Sequence, residues 1–174
     1  AVAAGDVLIG LPSSGLHSNG YSLARYVLLG EAALPLDEDP GDLGRTLGEE
    51  LLEPTRIYAG SLVRLFDEAP LPHAITHITG GGIGGNIARA IPDGLTARVD
   101  MSSFSRPAIF DLIQRTGDVA EAEMRRTFNL GIGMALAVAE DAADATLDIL
   151  SAAGEEPLVI GEVREGGEGG CALE

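Results

Sequence analysis

The chain has 174 residues, a mass of 17.9 kDa and a hydrophobic fraction of 45%, enough for one domain with a sizeable core. Its formal net charge of −16 argues against nucleic acid and against an anionic membrane surface, because both reward basic patches. Every fixed positive side chain is an arginine; the absence of lysine excludes a P-loop, and a single cysteine, Cys171, excludes an internal disulfide framework or a cysteine-rich zinc site. No metal site is expected. There is no apolar run of about 18 residues and no charged-then-apolar leader, which points to a cytoplasmic protein. The opening Ala1-Val2-Ala3-Ala4 has no initiator Met and reads as the start of a fragment.

In chain order, Gly5–Leu11 is an apolar run of strand length, expected to be buried on both faces. It runs into Pro12-Ser13-Ser14-Gly15-Leu16-His17-Ser18-Asn19-Gly20, a loop dense in hydroxyls, with an amide and an imidazole. A helix over Tyr21–Leu29 follows, stopped by Gly30. Ser13, Ser14, Ser18 and Asn19 can each donate to an anion, and one of them can cap that helix. The segment from Pro35 to Gly44 is acidic and broken by Pro and Gly, so it reads as an exposed excursion. Thr46 and Glu49 have capping-box spacing and open a short helix ending before Pro54. A helix over Arg56–Phe66 is expected next, with Ile57, Leu62, Leu65 and Phe66 on one face and Arg56 and Arg64 solvated at its ends.

Ala74–Ile78 is a short β-branched strand, followed by five glycines in the six positions Gly80–Gly85 and a helix over Asn86–Ile91. Such a turn can bring unpaired backbone N–H groups up to an anion with no Cβ in the way. Gly80-x-Gly82-x-x-Gly85, with Asp100 ending the next strand Leu95–Asp100, also fits a dinucleotide fingerprint. The short helix before Pro92 speaks against that reading. Beyond Asp100, a helix over Ala108–Gln114 precedes a capping-box spacing at Asp118 and Glu121. Arg125–Val138 then reads as one long strand. A helix from about Asp141 to Ala153 and a strand over Leu158–Val163 end a domain spanning 1–164, with 165–174 expected to be a disordered tail.

Ser13–Leu23, Leu52–Tyr58, His77–Gly82 with Asn86-Ile87, and Arg126–Met134 together resemble, in order and spacing, the C-terminal domain of phosphoribosylformylglycinamidine cyclo-ligase (AIR synthase). The resemblance covers nearly the whole chain. Gly84-Gly85 depart from it, since many members carry a bulkier or acidic residue there. It implies an α+β fold, a mixed β-sheet flanked by helices, and ATP-dependent closure of formylglycinamidine ribonucleotide to aminoimidazole ribonucleotide in purine biosynthesis. ATP and Mg²⁺ would be bound mainly by an N-terminal domain this chain lacks, leaving the isolated chain inactive; the full-length protein would be a homodimer.

Under that resemblance His77 and Asn19 are the catalytic candidates, His77 as a proton shuttle for the amidine. Ser14, His17, Ser18, Gly80, Gly81, Gly82 and Asn129 are the candidates for holding the ribonucleotide and its phosphate. On the residues alone His77 reads as well as a structural hydrogen-bonder, Asn129 as a bond across the sheet, and His73 as a surface residue. The alternatives are a dinucleotide-binding module, a related ATP-dependent enzyme such as selenophosphate synthetase, and a silent domain that only binds a partner.

Overall fold

The apolar, β-branched segments pair into one six-stranded sheet. The computed structural model describes residues 1–167 and 169–174. The strands are β1 (Val7–Pro12), β2 (Ala74–His77), β3 (Leu95–Val99), β4 (Ile132–Val138), β5 (Leu158–Glu165) and β6 (Cys171–Leu173). They lie in the order β2-β4-β1-β5-β3-β6, antiparallel throughout except for the parallel β3–β6 pair. β4 is buried along its whole length between β2 and β1, as its unbroken run of small and apolar residues requires. Gly10 in β1 has no side chain where the Ile160 and Ile132 methyls close over it, so the central strands stack tightly.

Among the described residues, seven α-helices carry the polar punctuation seen in the sequence: α1 (Tyr21–Arg25), α2 (Leu47–Leu51), α3 (Ala59–Glu68), α4 (Gly82–Ile87), α5 (Ala108–Thr116), α6 (Glu121–Thr127) and α7 (Ala143–Ala152). α1 continues as a π-helical turn over Tyr26–Glu31. The Thr46–Glu49 capping box forms in both directions at the start of α2. One face of the sheet is covered by α4, whose Ile83 and Ile87 pack with Ile78, Val99, Ile132 and Ile160. The other face carries α3 and α7, through Leu65, Ala143 and Leu150 against Ile9, Leu11 and Leu136. A third cluster joins α1, α2, α5 and α6 around Phe110 and Phe128, whose rings meet at 5.5 Å and 54°.

Five sequence expectations change. The helix expected from Asn86 begins at Gly82, so three of the glycines are helical. The strand expected from Arg125 begins only at Ile132. Pairs Glu121–Arg125 and Glu123–Arg126 extend α6 to Thr127, and Leu130 and Gly131, at φ 51° and 114°, then turn the chain. No side chain caps α6, because Asp118 sits in a left-handed turn after α5 instead. Ile57 lies outside α3 and is 83% exposed, so the expected apolar face shrinks to Leu62 and Leu65. The expected disordered tail carries β6: Glu174 N–H donates to the Val99 carbonyl, and Leu173 pairs with Val99. Residue 168, within that segment, lies outside the described residues. Among the described residues no helix is long and apolar enough to cross a membrane.

Candidate functional site

Because β1 and β2 both end at the same edge of the sheet, the loop after β1 meets the glycine turn after β2. Asn19 closes the junction, its Oδ1 accepting from the Gly80 N–H at 3.1 Å. The strand-free segment between α2 and α3 straps the same loop: Ser14 Oγ donates to the Pro54 carbonyl at 2.7 Å, and Ser18 and Thr55 hydroxyls share a bond of 3.0 Å. Three segments distant in sequence thus converge on one end of the sheet.

His17 is the fixed point of this arrangement. It is 2% exposed and sits at φ 55°. Its Nε2 accepts from the Ser14 N–H at 3.1 Å and from the Arg56 N–H at 3.5 Å. The ring proton must then lie on Nδ1, which is buried and has no partner among the described residues. Gly133 in β4 has no side chain where His17 Cε1 and the Tyr58 hydroxyl lie; Tyr58 in turn donates to the Pro12 carbonyl at 2.7 Å. Burial lowers the imidazole from its ordinary 6.5 to about 4, helped by the His77 ring at 6.4 Å and by the Arg56 guanidinium.

A pH dependence of stability follows. The folded value lies below the unfolded one, so the unfolded chain takes the proton first. Stability contributed by neutral His17 is complete above pH 6.5 and is lost as pH falls toward 4. Between pH 7 and pH 5 the wild type should lose about 2 kcal/mol more than His17→Gln, read by urea unfolding at each pH. Parallel curves for the two proteins would show that His17 is not held neutral.

His77 ends β2 opposite Met134 and is exposed. His17 and His77 therefore share a site in different states, one sealed in the scaffold and the other open to solvent. Gly80, Gly81 and Gly82 do not form the open cradle expected of them. The Gly80 N–H is taken by Asn19, and the Gly82 N–H donates to the Thr79 carbonyl at 3.1 Å. The turn is organised by Asn86, 3% exposed, whose Nδ2 donates to the Gly82, Thr79 and Gly80 carbonyls at 2.8, 3.1 and 3.3 Å. Thr79 Oγ1 donates to its Oδ1 at 3.2 Å. The sequence motif contains Asn86 without revealing this task; its one signal is a polar amide next to Ile87 in a glycine-rich, apolar stretch.

Asn129 is a second buried amide of this kind, 1% exposed. Its Oδ1 accepts from Ser13 Oγ at 2.8 Å and from the Gly131 N–H at 2.9 Å, while its Nδ2 donates to the Gly15 carbonyl at 2.8 Å. All its bonding capacity is spent on shaping the loop. None of the loop hydroxyls caps α1 either: Gly20 precedes that helix in a left-handed conformation with no side-chain cap.

Two arginine expectations and one histidine expectation also change. Arg56 reaches the buried Glu155 carboxylate at 3.0 Å, and Ser61 Oγ donates to the same carboxylate at 2.6 Å, which fastens the strap to the α7–β5 connection. Arg64 donates to the Ala152 carbonyl at 2.8 Å as well as pairing with Glu68. His73 is not a free surface residue; its Nδ1 lies 2.8 Å from the carboxylate of Asp6, which is 3% exposed.

The dinucleotide reading fails on topology. β2 and β3 are not neighbours: β4, β1 and β5 lie between them, and β2 pairs antiparallel with β4 and β3 antiparallel with β5, where that site needs adjacent parallel strands. Asp100 is turned into its own loop, accepting from the Ser102 N–H and Oγ at 2.8 and 2.6 Å, bonds that also lower its carboxyl below the usual range.

Comparison with known proteins gives the family and the fold. The chain is 52% identical over 163 residues to the phosphoribosylformylglycinamidine cyclo-ligase of Sorangium cellulosum, covering 93% of this chain and 47% of that protein. It is 47% identical over 169 residues to a putative phosphoribosylformylglycinamidine cyclo-ligase of Streptomyces fradiae, covering 97% and 92%. Apart from that shorter protein, the chain spans about half the length of the curated relatives it matches. Among solved structures, thiamine-monophosphate kinase from Stenotrophomonas maltophilia superposes with a TM-score of 0.61 at 18% identity, over 99% of this chain and 51% of that one. At that identity the likeness concerns the fold, a mixed sheet flanked by helices. Matched from residue 3 to residue 174, the chain belongs to the family described as AIR synthase related protein, C-terminal domain.

Proposed function

We propose that the chain is the substrate-side half of an ATP-dependent cyclo-ligase that closes formylglycinamidine ribonucleotide to aminoimidazole ribonucleotide. The observation that carries this reading is the convergence of the four resembling segments on one end of the sheet, joined by the Asn19–Gly80, Ser14–Pro54, His17–Arg56 and Ser13–Asn129 bonds. Close relatives that carry the cyclo-ligase name, rather than that of selenophosphate synthetase, support it.

Ring closure asks two things of this half. The reacting face must be held, and the attacking nitrogen must lose a proton. His77, exposed at the end of β2, takes that proton. Asn19 spends Oδ1 on Gly80 and has its NH₂ left, among the described residues, to donate to the substrate. His17 and Asn129 set the loop, and Ser14 and Ser18 tie it to the strap. Gly81, whose N–H has no partner among the described residues, offers it to the substrate phosphate.

The residues of this chain do not fit ATP with Mg²⁺. Lysine is absent, and among the described residues no three His, Cys, Asp or Glu side chains stand together as ligands. Both are assigned to the part of the longer relatives beyond this chain, and a homodimer to the longer protein. The test is to join this chain to the remaining half of the Sorangium cellulosum relative. The joined protein should cyclise formylglycinamidine ribonucleotide, and the 174-residue chain alone should neither do so nor hydrolyse ATP. Turnover by the chain alone, or a folded but inactive joined protein, would overturn the reading.

A further inference from the structure

A cavity of about 440 Å³ opens where β1, β4 and β5 meet the β3–α5 connection, and none of the residues assigned above to the ribonucleotide lines it. Its lining is mixed: Pro12, Leu158 and the fully buried Ile132 are apolar, and the serines and Glu156 are polar. Phe104, Ser105 and Glu156, the last from the α7–β5 connection, are also in the lining. The hydroxyls of Ser102 and Ser103, also in the lining, are spent on Asp100. Among the described residues Ser105 Oγ and the exposed Glu156 carboxylate have no protein partner.

The geometry points to a second ligand site here, one that takes a neutral, planar heterocycle bearing an amino group. The size lies within the usual range of small-molecule pockets, roughly 300 to 1,000 Å³. The apolar side chains of the lining, Phe104 among them, suit the flat face of a heterocycle. A carboxylate only accepts hydrogen bonds, so the ligand must bring donors to Glu156. No arginine lines the cavity and the chain has no lysine, so a phosphate would meet the Glu156 charge with nothing to offset it. The inference does not rest on the cyclo-ligase reading, since it uses none of that site's residues.

Adenosine is the probe, titrated into the 174-residue chain and followed by ¹H–¹⁵N correlation spectra. Saturable shifts are expected at the amides of Phe104, Ser105, Gly131 and Glu156. Inosine, with a carbonyl in place of the amino group, should bind about tenfold more weakly, the scale of one charge-assisted hydrogen bond. Glu156→Gln should weaken adenosine by a similar factor and, at an exposed position, keep the spectrum of the folded chain. Ribose 5-phosphate should leave these amides unmoved. The inference is overturned by adenosine shifts that do not saturate, by inosine or the Glu156→Gln variant binding as well as the reference pair, by equal shifts with ribose 5-phosphate, or by shifts centred on Asn19, His77 and Gly80.

Discussion

Gly82→Ala is expected to destabilise the chain by about 4 kcal/mol, at the upper end of single substitutions. Two costs combine at this position. The backbone sits at φ 64°, a region that side chains rarely adopt. A Cβ there would also overlap the Arg125 carbonyl oxygen and lie 3.1 Å from that of Phe128. Both atoms are main chain at the end of α6, and Asn86 clamps the turn from the other side, so neither partner can give way cheaply. Gly85→Ala, three residues on in the same helix, is the control. Its Cβ would meet nothing within 4 Å, so the gain in helix propensity should raise stability by about 0.5 kcal/mol. Urea unfolding of both variants gives the comparison. A Gly82→Ala cost below about 1 kcal/mol would mean that α4 and α6 do not pack as closely as described.

That contrast between two glycines marks where sequence reading ends. Seen in the sequence, Gly80–Gly85 is a run of equal residues, and its freedom suggests an open anion cradle. In the fold, one glycine is required by a close approach, and another is required by nothing. Most of the turn's polar groups are already bonded through Asn19, Thr79 and Asn86. Partners so far apart in sequence leave no periodic trace. The same holds for Asn129, whose bonds reach back to Ser13 and Gly15 across more than 110 positions.

Local signals read true where local forces decide. The Thr46–Glu49 capping box forms as its spacing requires, and the apolar runs at Gly5–Leu11 and Leu158–Val163 become the central strands β1 and β5. The α6–β4 boundary was missed because apolar alternation through Phe128–Ile132 imitates a strand, while Glu–Arg pairs and a left-handed Leu130 decide otherwise. β6 was missed because a Gly/Glu-rich approach hides a three-residue strand that gains its stability only from β3.

In the joined protein, His77→Ala should lower turnover by about 10²-fold or more, the scale of a positioned proton-transfer group. Its effect on stability should stay below about 1 kcal/mol, because the side chain is exposed and, among the described residues, makes no hydrogen bond. Asn19 needs a finer test, since it has a structural task as well. Asn19→Ala removes both the tie to Gly80 and the NH₂ donor. Asn19→Asp keeps an oxygen to accept from the Gly80 N–H but has no N–H to offer a substrate. If Asn19 serves only to hold the two loops together, Asp restores turnover to near the wild-type value. If its NH₂ meets the substrate, Asn19→Asp stays as impaired as Asn19→Ala while regaining about 1 kcal/mol of stability. Steady-state kinetics beside urea unfolding on the three variants separates these outcomes. Near-normal turnover in His77→Ala, or full rescue by Asn19→Asp, would remove the corresponding residue from the chemistry and leave it in the scaffold.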